Sequence, residues 1–486
     1  MKRELSDVPS RHLRTARSAL LCVTIGALCS GCITPLSPPS GEEVREQTMS
    51  NVPLDHPWKA AAASTEEVQD DWLASFQDPQ LDALVHEAIA NNPDLRVAAA
   101  RVEQAAQYVE VAKAALRPWV AIAGTGGMKS GGGGDATSAL QGIVAAASWE
   151  IDLWGRLRYA RNAARETYAS SQSDFEFARQ SIAASTAKAW FTATQLTLHV
   201  GIAENMVHSA QQLQKFAEDR ERVGVGSDAE TAVARATVNT YQDALQQVQF
   251  ARGQALRALE LLIGRYPGAE VSTRAQLLAL PGPVPMGMPL QMLERRPDVI
   301  AAERRVAVAF NRIGEAKAAR LPKISLNANF GAFESEILQL QEDFENPTGG
   351  LGARLLAPIY QGGALRAQVQ ISTIQQKEAL ADYARTALRA LNDVESALAA
   401  SQSLSTRVSF LTAAVNDQSR ALDLTQTKFR IGRSDMRAVE QQQLNVQSAR
   451  LALLNVQTDE LSTRVNLHLA LGGSFEVPQQ QAETSP

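Results

Sequence analysis

Cysteine is scarce in this chain, and its placement excludes one class of fold. The 486 residues include three cysteines, Cys22, Cys29 and Cys32, all within the first 32 positions. Beyond position 32 no disulfide can form within the chain, even in an oxidising compartment that would permit one. The shortage therefore excludes a disulfide scaffold but does not exclude export.

Histidine is also sparse, and no grouping of residues predicts a catalytic or metal site. His86, His199, His208 and His468 stand alone on predicted helices, without partners at ligand spacing, so we interpret them as surface residues or as satisfied residues in grooves. The sequence GTGGMKS at 124–130 resembles a phosphate-binding loop, but Met128 occupies the place of a required glycine and no helix follows. No Ser/His/Asp order, nucleophile elbow or dinucleotide fingerprint is present. We expect no enzyme activity, no metal and no cofactor.

The chain also has no excess of basic residues. The chain has 47 Lys and Arg against 52 Asp and Glu, a net charge of −5. This balance gives no reason to expect nucleic-acid binding.

The N-terminus has the features of an export signal. Five basic residues precede the apolar stretch 19–28, which is too short to span a bilayer as a helix and indicates a signal peptide. The stretch ends in LCSGC at 28–32, which resembles a bacterial lipoprotein processing box, although Cys29 stands where an aliphatic residue is usual. Cleavage before Cys32 would leave 42 basic and 50 acidic residues, a net charge of −8. An ordinary signal peptide is the alternative.

A processed lipoprotein would carry a covalent lipid, palmitate included, on Cys32. Ile33 follows that cysteine in place of aspartate, which in such lipoproteins suggests passage to the outer membrane. The proline- and serine-rich stretch 35–40 is a tether, and the polar segment that follows, to about Asp71, is predicted to be irregular. We expect packing to begin at Trp72 and Phe76.

The rest of the chain is an internal duplication. NPDLRVAAARVEQAAQYVEVAKAALRP at 92–118 recurs without a gap as RPDVIAAERRVAVAFNRIGEAKAARLP at 296–322, an offset of 204 residues. Later matches, such as Arg222 with Arg430, have offsets of 207 to 208. A repeat of this length is too long for a solenoid unit, so two structurally similar halves form one subunit.

Proline is absent from two long stretches, which predicts two long helices. Residues 156–222 and 364–430 contain no proline, and Gly201 is their one interior glycine. Each stretch predicts a helix of roughly 100 Å. In the second, apolar residues follow the spacing of a coiled seam. They are Leu404, Val408, Leu411, Val415 and Leu422.

Each half also predicts a β-hairpin, at about 119–151 and about 323–359. After Pro118 and Pro322 the apolar residues alternate with a period of two. Strands of this kind suit a transmembrane barrel, with Trp119 and Trp149 as interface aromatics at one end, but they also suit the edge of a soluble sandwich. Four strands cannot close a barrel, and open edges in lipid are costly, so hairpins that enter a membrane require oligomerisation. Three copies would supply twelve strands.

Several motifs in chain order resemble one family. They are WLASFQDPQLDALVHEAIANNPDL at 72–95, WEIDLWGRLR at 149–158, LERRPDVIAAERR at 293–305, APIYQGGALRAQV at 357–369 and LHLALGG at 467–473. Nearly the whole mature chain is similar to outer-membrane efflux lipoproteins of the TolC superfamily, the OprM/NodT type. The resemblance implies a mainly α fold with transmembrane β structure: a homotrimer with a 12-stranded β-barrel in the outer membrane and a long α-helical barrel in the periplasm.

The same resemblance implies an exit duct for drugs or small toxic compounds. Its partners would be a periplasmic adaptor protein, an inner-membrane pump of the RND type, and outer membrane lipid. The alternatives are a periplasmic coiled-coil structural lipoprotein without a channel, and an exit duct for protein secretion or metal efflux.

Two turns of the repeat are the candidate adaptor contacts, at the periplasmic tip. Gly224 and Gly432 suit helix C-caps, while Asp228 and either Ser434 or Asp435 suit the following N-caps. The tip residues are Arg222, Gly224, Ser227, Asp228, Arg430, Gly432 and Ser434. In relatives an aspartate beyond the second turn helps to close the aperture, but here Gln441 takes that place. The gate candidates are Asp435, Arg437 and Glu440, and a solvated helix face with i,i+3 charge pairs is the alternative.

The expected domain organisation follows from these boundaries. Residues 1–31 form the signal peptide and 32–75 the lipidated tether and N-terminal segment. The first repeat covers 76–278, the second covers 279–473, and 474–486 form a flexible tail.

Overall fold

Both halves of the repeat fold into the same series of elements. The structure is a computed structural model of the chain. It describes residues 35–60, 68–125, 141–334 and 348–476. Cys32 and the glycine-rich segment 126–134 therefore lie outside the described residues.

The elements follow the chain in this order. They are α1 (Gly41–Met49), a 3₁₀ helix (Ala74–Phe76), α2 (Pro79–Asn91), α3 (Pro93–Ala114), β1 (Trp119–Thr125), β2 (Gln141–Ile151), α4 (Arg156–Arg222), α5 (Asp228–Leu262), α6 (Pro289–Arg295), α7 (Pro297–Ala318), β3 (Lys323–Glu334), β4 (Thr348–Leu356), α8 (Ala364–Arg430) and α9 (Met436–Ala470).

The two long helices predicted from the absence of proline are confirmed. Helices α4 and α8 have 67 residues each, and they begin and end where the sequence predicts. The predicted seam in α8 is also visible, because Leu404 is buried and the other four heptad residues are half-buried. In the described part of the chain, no helix is both long enough and apolar enough to cross a membrane.

Helix α1 corrects one prediction. The segment before Asp71 is not wholly irregular, because Ser40 and Glu43 form a reciprocal capping box at the start of α1. The Ser40 amide donates to Glu43 Oε2 at 2.9 Å, and the Glu43 amide donates to Ser40 Oγ at 3.2 Å. Packing also begins before Trp72, since Val44 and Trp58 are buried.

The chain divides into two compact units. The first takes the described parts of Met1–Thr48, Glu103–Ser170 and Glu303–Asp382, and the second takes those of Met49–Val102, Ser171–Ala302 and Tyr383–Pro486. The first contains all four described strands, in one antiparallel sheet of order β1-β2-β3-β4. The sheet joins the two halves of the repeat through β2 and β3, where Ala147 pairs with Ala328.

Small residues permit close packing within the first unit. A β-carbon at Gly314 would lie 2.5 Å from the ring of Tyr159, so only glycine fits there. The hydroxyl of Tyr159 in turn accepts a hydrogen bond from the Leu36 amide at 3.0 Å. The tether is thereby attached to α4.

The second unit has the main hydrophobic core. Aromatic residues from the 3₁₀ region and from α4 meet there, with the rings of Phe76 and Phe191 5.4 Å apart. Trp190 is fully buried, and its indole N–H donates to Asp78 Oδ2 at 3.1 Å. Residues near the ends of α5 and α9 also belong to this core. They include Leu256, Leu259, Leu461 and Val465. Both repeats therefore contribute to one core.

Candidate functional site

The first candidate turn, residues 223–227, joins α4 to α5 within the second unit. Gly224 has φ of +75°, the left-handed conformation that the sequence predicts for a helix C-cap. The amides of Val225 and Gly226 both donate to the carbonyl of Arg220, at 3.0 and 2.9 Å. A β-carbon at Gly226 would lie 2.9 Å from Arg220 Cβ, so this position also requires glycine.

The cap of the following helix differs from the prediction. Ser227, not Asp228, is the N-cap of α5, and its hydroxyl accepts the Glu230 amide at 3.3 Å. Asp228 occupies the first helical turn, where a negative charge interacts favourably with the helix dipole. Sequence reasoning missed this because both residue types are good caps.

The second turn, residues 431–435, repeats this arrangement between α8 and α9. Gly432 has φ of +73°, which confirms the predicted C-cap. Asp435 is the N-cap of α9, since its Oδ1 accepts the Ala438 amide at 2.9 Å. Ser434, the alternative cap, is half-buried beside it and does not cap the helix.

Exposed apolar and basic side chains surround both turns. Val223, Val225 and Ile431 are exposed although they are aliphatic. Arg222 forms an ion pair with Asp219 on its own helix, and Arg430 donates to Thr427 Oγ1 at 3.2 Å. The turns therefore combine apolar contact area with positive charge.

A groove of about 450 Å³ lies beside these turns, between α4, α5 and the start of α9. Its walls include Phe216 and Arg220 from α4, and the guanidinium of Arg220 stands 5.8 Å from the centre of the Phe216 ring. The other lining residues are Leu213, Ala217, Ala229, Glu230, Val233, Ala234, Thr237, Tyr241, Asp435, Arg437, Gln441 and Leu444. Two gate candidates thus face one groove that both repeats form.

The third gate candidate is placed differently. Glu440 is buried, with 8% of its surface exposed, and does not line the groove. The alternative of i,i+3 charge pairing does not join Glu440 to Arg437, because Arg437 is exposed and no ion pair links the two among the described residues. Because Glu440 is buried, the alternative of a solvated helix face does not apply to this residue. Charge pairing therefore does not explain why a carboxylate is placed there.

Polar contacts join α4 to α9 along the same unit. Lys188 Nζ donates to Asn466 Oδ1 at 2.9 Å, and Gln195 Nε2 donates to Asn455 Oδ1 at 2.6 Å. Burial lowers the pKa of Lys188 from its ordinary value. These contacts connect the long helix of the first repeat to the return helix of the second.

His468 departs from the prediction that it is a surface or satisfied residue. It is buried and stacked on Trp72, with ring centres 5.9 Å apart, and its Nδ1 has no hydrogen-bond partner among the residues described here. Burial, with a smaller contribution from the nearby Arg464, lowers the pKa of His468 to about 4. No sequence signal pointed to this stack, because its partners lie almost 400 positions apart.

The remaining site predictions are placed as follows. Trp119 and Trp149 are both exposed at the same end of the first hairpin, where Trp119 pairs with Ser148 in register. The indole N–H of Trp149 donates to the Leu116 carbonyl at 2.9 Å. Within the described ranges no group of three or more His, Cys, Asp or Glu residues is arranged to hold a metal ion.

Comparison with known proteins gives a match over both repeats. The family model described as "Outer membrane efflux protein" matches residues 84–265 and 288–473. A pyoverdine export outer membrane protein, OpmQ of Pseudomonas putida, is 30% identical over 485 residues, covering 96% of this chain and 98% of the relative. A probable efflux pump outer membrane protein, TtgC of the same species, is 29% identical and covers 85% and 86%.

A solved structure has the same fold. The CmeC outer membrane channel of Campylobacter jejuni superposes with a TM-score of 0.77 at 23% identity, over 87% of this chain and 92% of that one. The duplicated TolC-like fold is therefore shown by structure as well as by sequence.

Proposed function

Since this chain belongs to the outer membrane efflux protein family, we propose that it is the outer-membrane exit duct of a tripartite efflux system. It carries small toxic compounds or drugs from a periplasmic adaptor and an inner-membrane pump to the outside. The observation that carries this proposal is the family match across both repeats, which includes every strand that the structure describes. Family members are channels, so the duct requires no catalytic residue in this chain.

The sheet supports insertion as an oligomer. Its edge strands, β1 and β4, expose apolar side chains such as Ile122 and Leu351. Unpaired edge groups are costly in lipid, so a membrane form must pair β4 of one copy with β1 of the next. A homotrimer then supplies the twelve strands of a closed barrel.

The two turns are the proposed contact with the adaptor. The exposed apolar side chains Val223, Val225 and Ile431 offer area for helix contacts, and Arg222 and Arg430 add charge. Asp435 and Arg437 line the adjoining groove, where small helix movements would change the aperture. Glu440 completes the proposed gate from the buried side of α9.

The experiment is single-channel conductance of the acylated protein in planar bilayers, with the crosslinked mass measured on the same sample. Trimers that insert and conduct support the duct. Conductance should increase when Asp435→Asn, Arg437→Gln or Glu440→Gln removes a gate charge, whereas Arg433→Gln, on the turn but outside the groove, is the matched control. Monomers that never insert would contradict the proposed barrel and favour a periplasmic coiled-coil lipoprotein.

The lipid anchor has its own test. We propose acylation of Cys32, so Cys32→Ser should abolish incorporation of radiolabelled palmitate in cells and leave an unprocessed precursor. Cys29→Ser, three positions earlier, should be labelled normally. Label retained in the Cys32→Ser variant would exclude the anchor.

A further inference from the structure

Three basic side chains in the first unit have no counterion among the described residues. Lys317 lies in the last turn of α7, Arg320 follows that helix, and Arg366 lies in the first turn of α8. All three are exposed, and together they line a cavity of about 580 Å³ at the place where β3 begins and β4 ends. None of their side chains makes an ion pair or hydrogen bond within the described ranges.

Two of these three cations have an equivalent in the first repeat, and both equivalents are paired. Lys113, at the position of Lys317, bonds Glu110 at 2.6 Å, and Arg158, at the position of Arg366, bonds Asp152 at 3.1 Å. In the second repeat glycine replaces Glu110, and the connecting segment 357–363 contains no acidic residue. The second repeat therefore has both of these cations without either carboxylate, and it has Arg320 where the first repeat has Leu116.

Backbone donors show the same difference. Asp152 also accepts the amides of Leu157 and Arg158, at 3.1 and 3.0 Å. Their equivalents, the amides of Leu365 and Arg366, have no acceptor among the described residues. The first repeat thus shows that this set of donors holds an oxyanion, and the basic cluster supplies the additional charge that a phosphate requires.

Apolar side chains beside the cations identify the source of the phosphate. Ile359 and Tyr360 line the same cavity and are 92% and 88% exposed. They follow directly on β4, whose Leu351 and Leu355 are also exposed. Tyrosine and basic residues next to an apolar strand are typical of the boundary between headgroups and acyl chains. A free phosphate would leave this apolar surface in water, whereas a phospholipid covers it.

We propose that Lys317, Arg320 and Arg366 bind the phosphate of an anionic phospholipid, whose acyl chain packs against Ile359 and Tyr360. The site lies on the second repeat alone, because Glu110 and Asp152 neutralise two corresponding cations of the first repeat and Leu116 stands at the position of Arg320. The inference rests on the proposed function only in that the strands enter a membrane.

Native mass spectrometry of the full acylated protein in detergent tests the site, with phosphatidylglycerol, phosphatidylcholine and inorganic phosphate as separate probes. Phosphatidylglycerol should bind in preference to phosphatidylcholine. Each basic residue changed to glutamine should weaken phosphatidylglycerol binding about fivefold, and the triple variant Lys317→Gln, Arg320→Gln, Arg366→Gln roughly 100-fold. Lys113→Gln, the paired equivalent of Lys317, should leave binding unchanged.

A second pair of variants introduces a carboxylate beside Arg366 without removing a cation, and so tests whether its absence matters. Tyr360 stands six residues before Arg366, as Asp152 stands six before Arg158. Tyr360→Asp should neutralise Arg366 and weaken phosphatidylglycerol binding further than Tyr360→Asn, which has nearly the same shape but no charge.

Four results would overturn the inference. They are equal phosphatidylglycerol binding by the wild type and the triple variant, equal binding of the two lipids, full displacement of lipid by equimolar inorganic phosphate, and carbodiimide crosslinks that join Lys317 to a carboxylate of a second copy. Flotation with liposomes is measured separately. If the protein floats but does not prefer phosphatidylglycerol, only the proposed lipid site is contradicted. If the protein fails to float, the proposed channel is contradicted.

Discussion

Asn92 and Arg296 make the same contact in the two halves of the chain. Asn92 Nδ2 donates to the carbonyl of Leu262, the last residue of α5, and Arg296 Nη1 donates to the carbonyl of Ala470, the last residue of α9. Each side chain thereby satisfies a carbonyl that the end of a helix leaves unpaired. The repeated Pro-Asp motif that follows each residue begins the next helix, so the motif marks a junction between two helices.

The residue of the second half belongs to a larger polar network. Arg296 is 4% exposed and also bonds Asp298 at 2.7 Å and Asp393 at 3.3 Å. Arg296→Ala should lower the free energy of unfolding by about 3 kcal/mol, because it leaves polar groups of a buried network unpaired. Arg296→Lys should recover only part of this, since lysine lacks the planar fork. Thermal unfolding in detergent, followed by circular dichroism, measures both.

Arg304 provides the control for that prediction. It is largely exposed and makes one contact of 3.4 Å with Glu166, so Arg304→Ala should change the unfolding free energy by less than about 1 kcal/mol. Equal losses for the Arg296 and Arg304 variants would contradict the network.

The left-handed glycines of the two turns should resist substitution. No heavy atom lies within 4 Å of a β-carbon built at Gly224 or Gly432, so Gly→Ala there costs backbone strain alone, about 1 to 2 kcal/mol. Hydrogen exchange of the turn amides should accelerate accordingly. Gly201→Ala, inside α4 and equally unobstructed, should instead slow local exchange, since alanine stabilises a helix interior by roughly 0.5–1 kcal/mol. The same response at all three positions would exclude strain as the cause.

His468 should make stability depend on pH. Its folded pKa of about 4 lies below the unfolded value near 6.5, so the unfolded chain takes up the proton first as the pH falls. The contribution is fully present above pH 6.5 and declines between pH 6.5 and 4, by roughly 3 kcal/mol in total.

The measurement is the difference in unfolding free energy between the wild type and His468→Gln across this range, which cancels the titration of carboxylates elsewhere. His208→Gln, at an exposed position of α4, is the matched control for the substitution itself. A difference for His468→Gln that does not vary with pH would show that the histidine does not titrate in this way.

The N-cap role of Asp435 can be separated from its proposed role in the gate. Asparagine keeps the side-chain acceptor of the N-cap, whereas alanine loses it and should cost about 1 kcal/mol of local stability. If the charge closes the aperture, Asp435→Asn and Asp435→Ala should both raise single-channel conductance. Ser227→Ala, which removes the uncharged cap of the other turn, should not raise it. An increase with alanine alone would assign the effect to the cap.

Much of the fold follows from local signals in the sequence. The ends of α4 and α8 were predictable because proline and glycine stop a helix, and the left-handed turns because Gly224 and Gly432 follow the last basic residues of those helices. Helix α1 was also predictable from the spacing of Ser40 and Glu43 but was obscured by the prolines before it.

The candidate site was only partly predictable. The groove beside the turns needs Phe216, Tyr241 and Arg437 from three helices, and periodicity within one helix does not reveal which neighbours it meets. Burial of Glu440 and the stack of His468 on Trp72 depend on the same long-range packing. Local patterns therefore located the turns, whereas tertiary contacts determined which charges face a shared surface.

Three pairs of matching helices have identical lengths in the two halves: 22 residues in α3 and α7, 67 in α4 and α8, and 35 in α5 and α9. One inserted residue turns every later side chain of a helix by about 100°. Selection since the duplication has therefore tolerated no net insertion in these helices. The offset between the halves increases from 204 at Pro118 and Pro322 to 208 at Asp152 and Tyr360, so the extra residues of the second half lie in the hairpin region between two of these helices. For protein engineering, hybrid channels that exchange whole helices between the halves should keep their register, while new sequence is best added in the hairpin region that has already changed length.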